Sequence, residues 1–455
     1  MFRKSFLFAG IIGLSVFCQS CSLFEKDVYK PAEVPEIENS FEATVIWHTS
    51  VGDGIEKYFN SLAPAVTEER VFVAARDGTV KALNRRDGST VWKIDLDDEE
   101  ENEDRRSPRI SAGVSAGFDK IFVASENGYV YALDRSNGKL IWKKYVGHEV
   151  LSAPHPLADR VLVYTVAGNM LALSDFDGSV LWKTSEDPAE ITLRGTSPIT
   201  DVDGGKVAMY GTSHGKINMV DTSNGMLINS LIVTLPKGTS AIDRLADVDA
   251  QPVFAHGAIY AVGYHGQLVS MLGGGHRGSS WKKNISSYSS LAFDYSDVFV
   301  TDDKGHVHAL SQTSGTEHWE NNDLSYRGVT APAVLNGYVL VGDMDGYLYW
   351  LDGATGRIVS MDRMDSDGLY IPPVIYDGVA YLQTRNGEVF ALTNGPAPVY
   401  TDIEEEEKTS SESFSDDEID TSSSGSKPSA SDTEEKSGEE AQSEKKSWSK
   451  WFRRQ

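Results

Sequence analysis

Histidines, carboxylates and glycine-rich loops are the residues of this chain that could do chemistry. His306 and His308 alternate along an apolar stretch, so they share one face of a predicted strand and could bind a metal ion. No group of carboxylates lies near them at metal-ligand spacing. The run Gly273–Gly278 has the glycines of a phosphate-binding loop without its Gly-Lys-Ser/Thr ending, and 201–204 is too short for a calcium loop. We therefore predict no catalytic residue, no metal and no cofactor.

Cysteine chemistry is confined to the N-terminus, which holds the only two cysteines of the chain, Cys18 and Cys21. Two basic residues precede an apolar stretch from Phe6 to Phe17, which has the length of a signal-peptide core and is too short to span a bilayer. Ser20 and Cys21 then resemble the cleavage point of a bacterial lipoprotein. The alternative is an ordinary secretory signal with incidental cysteines.

The lipoprotein interpretation divides the N-terminus in two. Residues 1–20 form the signal peptide, and 21–40 form a lipidated, extended tether. Ser22, in place of an aspartate, resembles the sorting signal for the outer membrane. We expect an outer-membrane protein that faces the periplasm and is held in lipid through Cys21, because several acyl chains on one cysteine give stable anchoring.

The elements that must position any site are eight copies of one repeat. The first copy spans Val71–Lys93, and the truncated last copy spans Val379–Leu392. A glycine marks the first turn of each copy, at positions 78, 128, 168, 215, 266, 305, 346 and 387. Apolar and polar residues alternate within the copies, and Asp77-Gly78 is a typical hairpin turn. This long-period repetition of strands predicts an all-β fold, an eight-bladed β-propeller.

Tryptophans and short apolar runs complete the repeat. A tryptophan follows the second turn in most copies, at Trp92, Trp142, Trp182 and Trp319. Large flat side chains pack well between wedge-shaped blades, so we interpret these residues as core rather than as a ligand platform. The run Leu62–Val66 and its equivalents are interpreted as innermost strands, where a proline at the first residue costs no ladder hydrogen bond.

The ends of the repeat region predict how the ring closes. The eighth copy stops after its third strand, and a segment with the expected tryptophan lies at Thr44–Trp47. Pairing of this N-terminal strand into the last blade would close the ring and remove two free sheet edges. We therefore predict one domain over residues 41–400.

The remaining 55 residues, 401–455, have a different composition. Serine and acidic residues dominate, and almost no aliphatic residue is available to build a core, so this tail is predicted to be disordered. It ends in the basic and aromatic segment Lys445–Arg454, which suits either a membrane or partner contact or a solvated tail. With a net charge of −25 the chain would repel the phosphates of nucleic acid, so we predict no nucleic-acid partner.

The repeat resembles the pyrroloquinoline-quinone-type repeat, which two families carry. The quinone-dependent alcohol dehydrogenases stack a vicinal cysteine pair on the quinone, and this chain has no cysteine after Cys21. The BamB family, lipoproteins of the outer-membrane β-barrel assembly machinery, is similar beyond the repeat. Its loops between blades resemble Ile191–Pro198 and Ala241–Val253, and the resemblance covers about residues 22–395.

The BamB resemblance implies a non-enzymatic scaffold that helps to insert β-barrel proteins into the outer membrane. Its implied partners are a POTRA domain of BamA, the other subunits of the machinery and nascent outer-membrane proteins. The residues implied to contact BamA are Ile191, Leu193 and Arg194 on one loop, and Asp247 and Asp249 on the other. Two alternatives stay open: a quinone-dependent or other periplasmic propeller enzyme, and a local role in which Asp247 and Asp249 cap a turn and pair with Arg194.

Overall fold

The computed structural model describes residues 29–96, 107–187, 189–272 and 279–398. The signal segment with Cys21, the run Gly273–Gly278 and the tail 401–455 lie outside these residues. Regular secondary structure in the described part is entirely β-strand, arranged in eight sheets, so the predicted eight-bladed β-propeller is confirmed. No described helix has the length and apolar character that crossing a membrane requires.

The strands follow one another blade by blade along the chain. Two strands, β1 (Thr44–Ser50) and β2 (Ser61–Leu62), precede the first blade. Blade 1 holds β3 (Ala65–Val66), β4 (Arg70–Ala74), β5 (Thr79–Asn84) and β6 (Thr90–Asp95). Blade 2 holds β7 (Ile110–Ala116), β8 (Lys120–Ser125), β9 (Tyr129–Asp134) and β10 (Leu140–Tyr145). Blade 3 holds β11 (His155–Pro156), β12 (Arg160–Tyr164), β13 (Asn169–Ser174) and β14 (Val180–Ser185). Blade 4 holds β15 (Thr200–Val202), β16 (Val207–Gly211), β17 (Lys216–Asp221) and β18 (Leu227–Ile232).

The second half of the ring repeats this order. Blade 5 holds β19 (Val253–Ala255), β20 (Ala258–Val262), β21 (Leu268–Leu272) and β22 (Ser279–Lys283). Blade 6 holds β23 (Ala292–Phe293), β24 (Asp297–Thr301), β25 (Val307–Ser311) and β26 (Glu317–Asn321). Blade 7 holds β27 (Ala333–Leu335), β28 (Tyr338–Gly342), β29 (Tyr347–Asp352) and β30 (Ile358–Arg363). Blade 8 holds β31 (Val374–Tyr376), β32 (Val379–Gln383) and β33 (Glu388–Thr393), and β1 completes it.

The ring closes through the N-terminal strand, as predicted. Strand β1 pairs antiparallel with β33, from Thr44 opposite Thr393 to Ser50 opposite Glu388. The paired strand is three residues longer than predicted, and its register shifts between Val45 and Trp47. Because both ends of the propeller share blade 8, the ring has no open seam.

The predicted innermost strand over Leu62–Val66 is wrong in one respect, because the structure divides it between two blades. Strand β2 pairs in parallel with β7 of blade 2, and the amide of Ala63 donates to the carbonyl of Gly113 at 2.9 Å. Pro64 has no N–H with which to continue that ladder. Only Ala65 and Val66 then form the inner strand of blade 1, so blade 2 carries a fifth strand that ties it to blade 1.

The tryptophans lock neighbouring blades together, which confirms their predicted core role. Six described tryptophans each pair with a glycine of the next blade. In each of these pairs the indole Nε1 donates a hydrogen bond to a backbone carbonyl of that next blade, as Trp92 does to Arg135 at 3.1 Å. The ring lies on a turn glycine of that blade, and a Cβ built on Gly138 would stand 2.6 Å from the Trp92 ring. The six described pairs are Trp47–Gly88, Trp92–Gly138, Trp142–Gly178, Trp182–Gly225, Trp281–Gly315 and Trp319–Gly356.

In blade 7 the large and the small residue of one cross-strand pair are swapped between the two outer strands. In blade 1 the small Ala82 lies opposite Trp92, whereas in blade 7 the large Trp350 lies opposite Ser360. The Trp350 ring meets the ring of Phe41 edge-on at 5.4 Å, and the Ser360 hydroxyl donates to the Phe41 carbonyl at 2.7 Å. The N-terminal segment thus supplies the aromatic contact beside blade 8.

A buried arginine attaches the same N-terminal segment further upstream. Arg327 Nη1 donates to the Ala32 carbonyl at 2.8 Å, while its Nη2 lies 2.7 Å from Asp343 Oδ2 and 2.7 Å from Asp345 Oδ2. Tyr29 packs edge-on against Tyr326, in the loop between blades 6 and 7. The part of the predicted tether that the structure describes therefore lies against the propeller.

Antiparallel pairing sorts the connections between strands onto two faces. The loops that join consecutive blades and the turns between the second and third strands of each blade lie on one face, which we call the loop face. The remaining hairpin turns lie on the opposite face. Residues far apart in sequence therefore meet on the loop face.

Candidate functional site

Two loops that are not part of the repeat meet on the loop face. They join blade 3 to blade 4 (186–199, with residue 188 outside the described residues) and blade 4 to blade 5 (233–252). The amide of Leu193 donates to Asp247 Oδ2 at 3.0 Å, and Arg244 Nη2 lies 3.5 Å from Glu190 Oε2. These contacts make the two loops one surface.

Arg194 belongs to a network of ion pairs rather than to the Asp247–Asp249 pair. Its Nη2 lies 2.6 Å from Glu149 Oε1 and 3.1 Å from Glu126 Oε1, and its Nη1 donates to the Phe59 carbonyl at 2.9 Å. Glu126 in turn pairs with Arg76 at 2.8 Å. The expectation that Arg194 pairs with the two aspartates is wrong. The glutamates come from loops of blades 2 and 3, which no local sequence spacing connects to Arg194.

Asp247 and Asp249 are buried to different degrees. Asp247 is only 2% exposed, and burial raises its pKa to about 6. Burial, and then the charge of Asp247, raises the pKa of the half-buried Asp249 to about 8. A Cβ on Gly195 would stand 2.4 Å from Asp249 Oδ2, so glycine is required where the loop passes this carboxyl group. Asp247 therefore holds the neighbouring loop and does not cap a local turn.

The structure also exposes aliphatic side chains on these loops, and the sequence analysis named only one of them, Ile191. Ile191, Leu235 and Ile242 are exposed on these two loops. Leu193 is half-buried beside them, and Arg194 is exposed. The signal that could have found Leu235 and Ile242 was their position: apolar residues in a polar loop that belongs to no copy of the repeat.

A cavity of about 600 Å³ occupies the centre of the ring. Its lining comes mainly from the segments that lead into the innermost strands around the ring, including Phe59, Gln251, Tyr288 and Tyr370. None of its described lining residues is Asp, Glu, Lys, Arg or His. Burial raises the pKa of both tyrosines, so their hydroxyl groups stay neutral. The cavity is an apolar and hydroxyl-lined space, without a charged acid or base among those residues.

A separate cluster of titratable side chains lies on blade 6, around the two histidines for which the sequence analysis found no carboxylate partners. His306 and His308 are within 4 Å of carboxylate oxygens from Asp302, Glu317 and Glu320. The sequence analysis missed this group because the pairing of β25 with β26 brings in Glu317 and Glu320, while a tight turn brings Asp302 back.

Comparison with known proteins places the chain among bacterial assembly factors. The family model described as "Outer membrane protein assembly factor BamB" matches residues 39–109, 76–321 and 303–397. The BamB of Vibrio cholerae is 38% identical over 394 residues, covering 86% of this chain and 98% of that protein. The BamB of Yersinia pestis is 34% identical over 395 residues, covering 86% and 99%.

Solved structures agree at the level of the fold. The crystal structure of BamB from Moraxella catarrhalis superposes with a TM-score of 0.69 at 24% identity, covering 77% of this chain and all of that one. A quinohemoprotein alcohol dehydrogenase from Comamonas testosteroni reaches 0.61 at 14% identity, covering 81% and 80%. These likenesses concern the propeller alone.

Proposed function

The chain belongs to the family of the outer membrane protein assembly factor BamB, and we propose that it is itself an assembly factor for outer-membrane proteins. It acts as a scaffold that binds other proteins rather than as an enzyme. The observation that carries this proposal is the joined pair of loops, 186–199 and 233–252, which the propeller repeat does not require. The neutral lining of the central cavity supports a role without acid–base chemistry.

The joined loops form the surface that binds a POTRA domain of BamA. Exposed aliphatic residues on one surface often mark a protein interface, and Ile191, Leu235 and Ile242 are exposed on the two joined loops. Leu193 lies on the same loop as Ile191, next to Arg194 and its network of ion pairs. A few residues of this kind, apolar anchors with an arginine, carry most of the energy of a typical interface.

The network around Arg194 prepares it for a partner. Glu126 and Glu149 fix the guanidinium, whose side chain remains 45% exposed. Because the side chain is already ordered, little conformational entropy is lost when a partner binds. Asp247 contributes indirectly, because it holds the backbone of Leu193. Asp249 supports the loop at Gly195, where its carboxyl group contacts the chain.

The decisive experiment is a binding titration between the full chain and the purified periplasmic region of BamA. The double variant Leu193→Ala, Arg194→Ala should lose about 2 kcal/mol or more of binding free energy, which raises Kd roughly 30-fold. The matched control is Phe118→Ala, which removes a 98% exposed aromatic side chain from the opposite face. Equal affinity of the double variant and the wild type, with unchanged melting, would remove these loops as the BamA site.

Membrane attachment is the second part of the proposal. The anchor is Cys21, lipidated in the outer membrane, and the propeller faces the periplasm, where it meets the other subunits and nascent barrel proteins. The support is the apolar segment that ends in Ser20 and Cys21. Replacing Cys21 with alanine should leave the protein soluble or uncleaved in cell fractionation. A mature variant that still sediments with outer membranes would contradict lipid anchoring.

A further inference from the structure

The histidine cluster of blade 6 has the composition and geometry of a metal site. Asp302 lies in the turn between β24 and β25, His306 directly precedes β25, His308 is the second residue of β25, and Glu320 lies on β26. Register places His308 opposite Glu320. The two histidines point to the same side of the sheet because they alternate along the strand.

Distances among the ligand atoms of Asp302, His306 and His308 match those around a bound ion, and Glu320 lies close to His306. The Oδ2 atom of Asp302 lies 3.2 Å from His306 Nδ1 and 3.7 Å from His308 Nε2. Glu320 Oε1 lies 3.4 Å from His306 Nδ1. A tetrahedral ion with bonds of ~2.1 Å holds its ligands ~3.4 Å apart. The three ligand atoms of Asp302, His306 and His308 all lie within 4.8 Å of one another.

Neighbouring groups orient these atoms toward one point. The other carboxylate oxygen of Asp302, Oδ1, accepts the backbone N–H groups of Lys304 at 2.9 Å and His306 at 2.7 Å. Glu317 Oε1 lies 2.7 Å from His308 Nδ1. A carboxylate that accepts the Nδ1 proton of a histidine leaves Nε2 with a free lone pair, which is the usual arrangement behind a metal-bound histidine.

The Nε2 atom of His308 supplies an independent observation. His308 is 6% exposed, and its Nε2 has no hydrogen-bond partner. A buried polar atom without a partner is rare in folded proteins, and a role in binding an ion is one of the accepted explanations. This atom faces Asp302 at 3.7 Å, too far for a hydrogen bond but suitable for two ligands of one ion.

We propose that Asp302, His306 and His308 bind one divalent transition-metal ion, with Zn²⁺ favoured by a set of two imidazoles and a carboxylate, and that the exposed side chain of Glu320 turns toward the ion to complete the site. Glu320 closes the outer side of the site, where a side chain 44% exposed gives the ion a path from solvent. The ion joins β25, β26 and the turn at Asp302. Asp303 of that turn accepts from Ser286 Oγ at 2.6 Å, so the ion also steadies the contact with the loop from blade 5.

The test is a calorimetric titration of the full chain, without a histidine tag, with Zn²⁺ alone. We expect one ion per chain, and Co²⁺ in its place should give the visible absorption of a four-coordinate site. Glu317→Gln should weaken Zn²⁺ binding about 10–100-fold, because it replaces the charged acceptor behind His308 with a neutral amide without removing a ligand. Glu320→Gln on β26 and His308→Ala on β25 should each weaken Zn²⁺ binding further.

The matched control is His318→Ala. His318 also lies on β26 and pairs with a carboxylate, Asp297 at 3.0 Å, but it is outside the cluster. Zn²⁺ should raise the Tm of wild type and of His318→Ala, and this rise should disappear in Glu320→Gln. Absence of Zn²⁺ binding by wild type, or an equal loss of binding in His318→Ala and Glu317→Gln, would overturn the proposal. The cluster would then be a set of histidine–carboxylate ion pairs.

Discussion

Replacing Gly138 with alanine should test whether tryptophan–glycine contacts hold neighbouring blades together. Gly138 has φ +78°, and an added Cβ would meet the Trp92 ring at 2.6 Å. The matched control is Gly257→Ala. Gly257 also has φ +78°, but nothing lies within 4 Å of its added Cβ. Both variants therefore carry the same backbone strain, and only Gly138→Ala carries the clash.

The expected free-energy changes follow from these two terms. A left-handed backbone conformation costs a residue with a Cβ about 1–2 kcal/mol, partly offset by the lower entropy of the unfolded alanine chain. Gly257→Ala should therefore lower the free energy of unfolding by ~1 kcal/mol. The clash forces the Trp92 ring to shift within a packed core, which adds about 1–3 kcal/mol. Gly138→Ala should thus lose ~2–4 kcal/mol.

Urea unfolding followed by tryptophan fluorescence measures both losses. A second comparison combines Gly138→Ala with Trp92→Leu, which removes the ring that the new methyl group meets. The two changes should then couple, so that the double variant is more stable than the sum of the single losses indicates. Equal losses in Gly138→Ala and Gly257→Ala, with no coupling to Trp92, would refute the reasoning.

Three further predictions concern charge and closure. The folded pKa of Asp249, about 8, lies above its ordinary value of 3.8, so the folded protein holds an extra proton between these values and unfolding becomes easier as pH rises from about 4 to 8. Since one pKa unit is worth about 1.4 kcal/mol, Asp249→Asn should raise the free energy of unfolding by on the order of 4 kcal/mol at pH 7 and by almost nothing at pH 4 in urea titrations, and a gain independent of pH would contradict this. Asp343→Asn should cost ~3 kcal/mol because it leaves the buried Arg327 without its main partner, whereas Asp345→Asn, on a mostly exposed carboxylate, should cost under ~1 kcal/mol, and similar losses would show that burial is not the cause. Deleting residues 41–50 removes β1 and leaves β33 as a free edge, so light scattering should detect aggregation; unchanged scattering and melting would mean that blade 8 closes without β1.

The repeat made the fold predictable from sequence, because the same local signals recur in every blade. Glycine turns and alternating apolar residues needed no knowledge of tertiary contacts, and the truncated last copy indicated the pairing of Thr44–Trp47. The contacts that the sequence did not predict depend on which residues of neighbouring strands are large and which are small. Blade 7 carries its tryptophan at Trp350 instead of position 360, so the repeat gave no sign that Phe41 packs there.

The candidate site was predictable only in its location. The loops around Leu193 and Asp247 stood out because the repeat does not require them. Their contacts could not be predicted, because the partners of Arg194 are Glu126 and Glu149, which the ring brings together across three blades. The histidine cluster shows the same limit, since Glu320 becomes a neighbour of His306 only through strand register.

If Cys21 carries the proposed lipid, the attachment of Ala32 to Arg327 limits how far the propeller can stand from the membrane. With lipid on Cys21, eight residue steps lead from the anchor to Tyr29, and a fully extended chain covers about 3.4 Å per residue, or ~27 Å in all. Tyr29 lies beside blades 6 and 7, across the ring from the loops around Leu193. Under the proposed lipidation of Cys21, the edge of the ring at blades 6 and 7 stays within this distance of the bilayer surface, whereas the proposed BamA surface, farther round the ring, is held less closely.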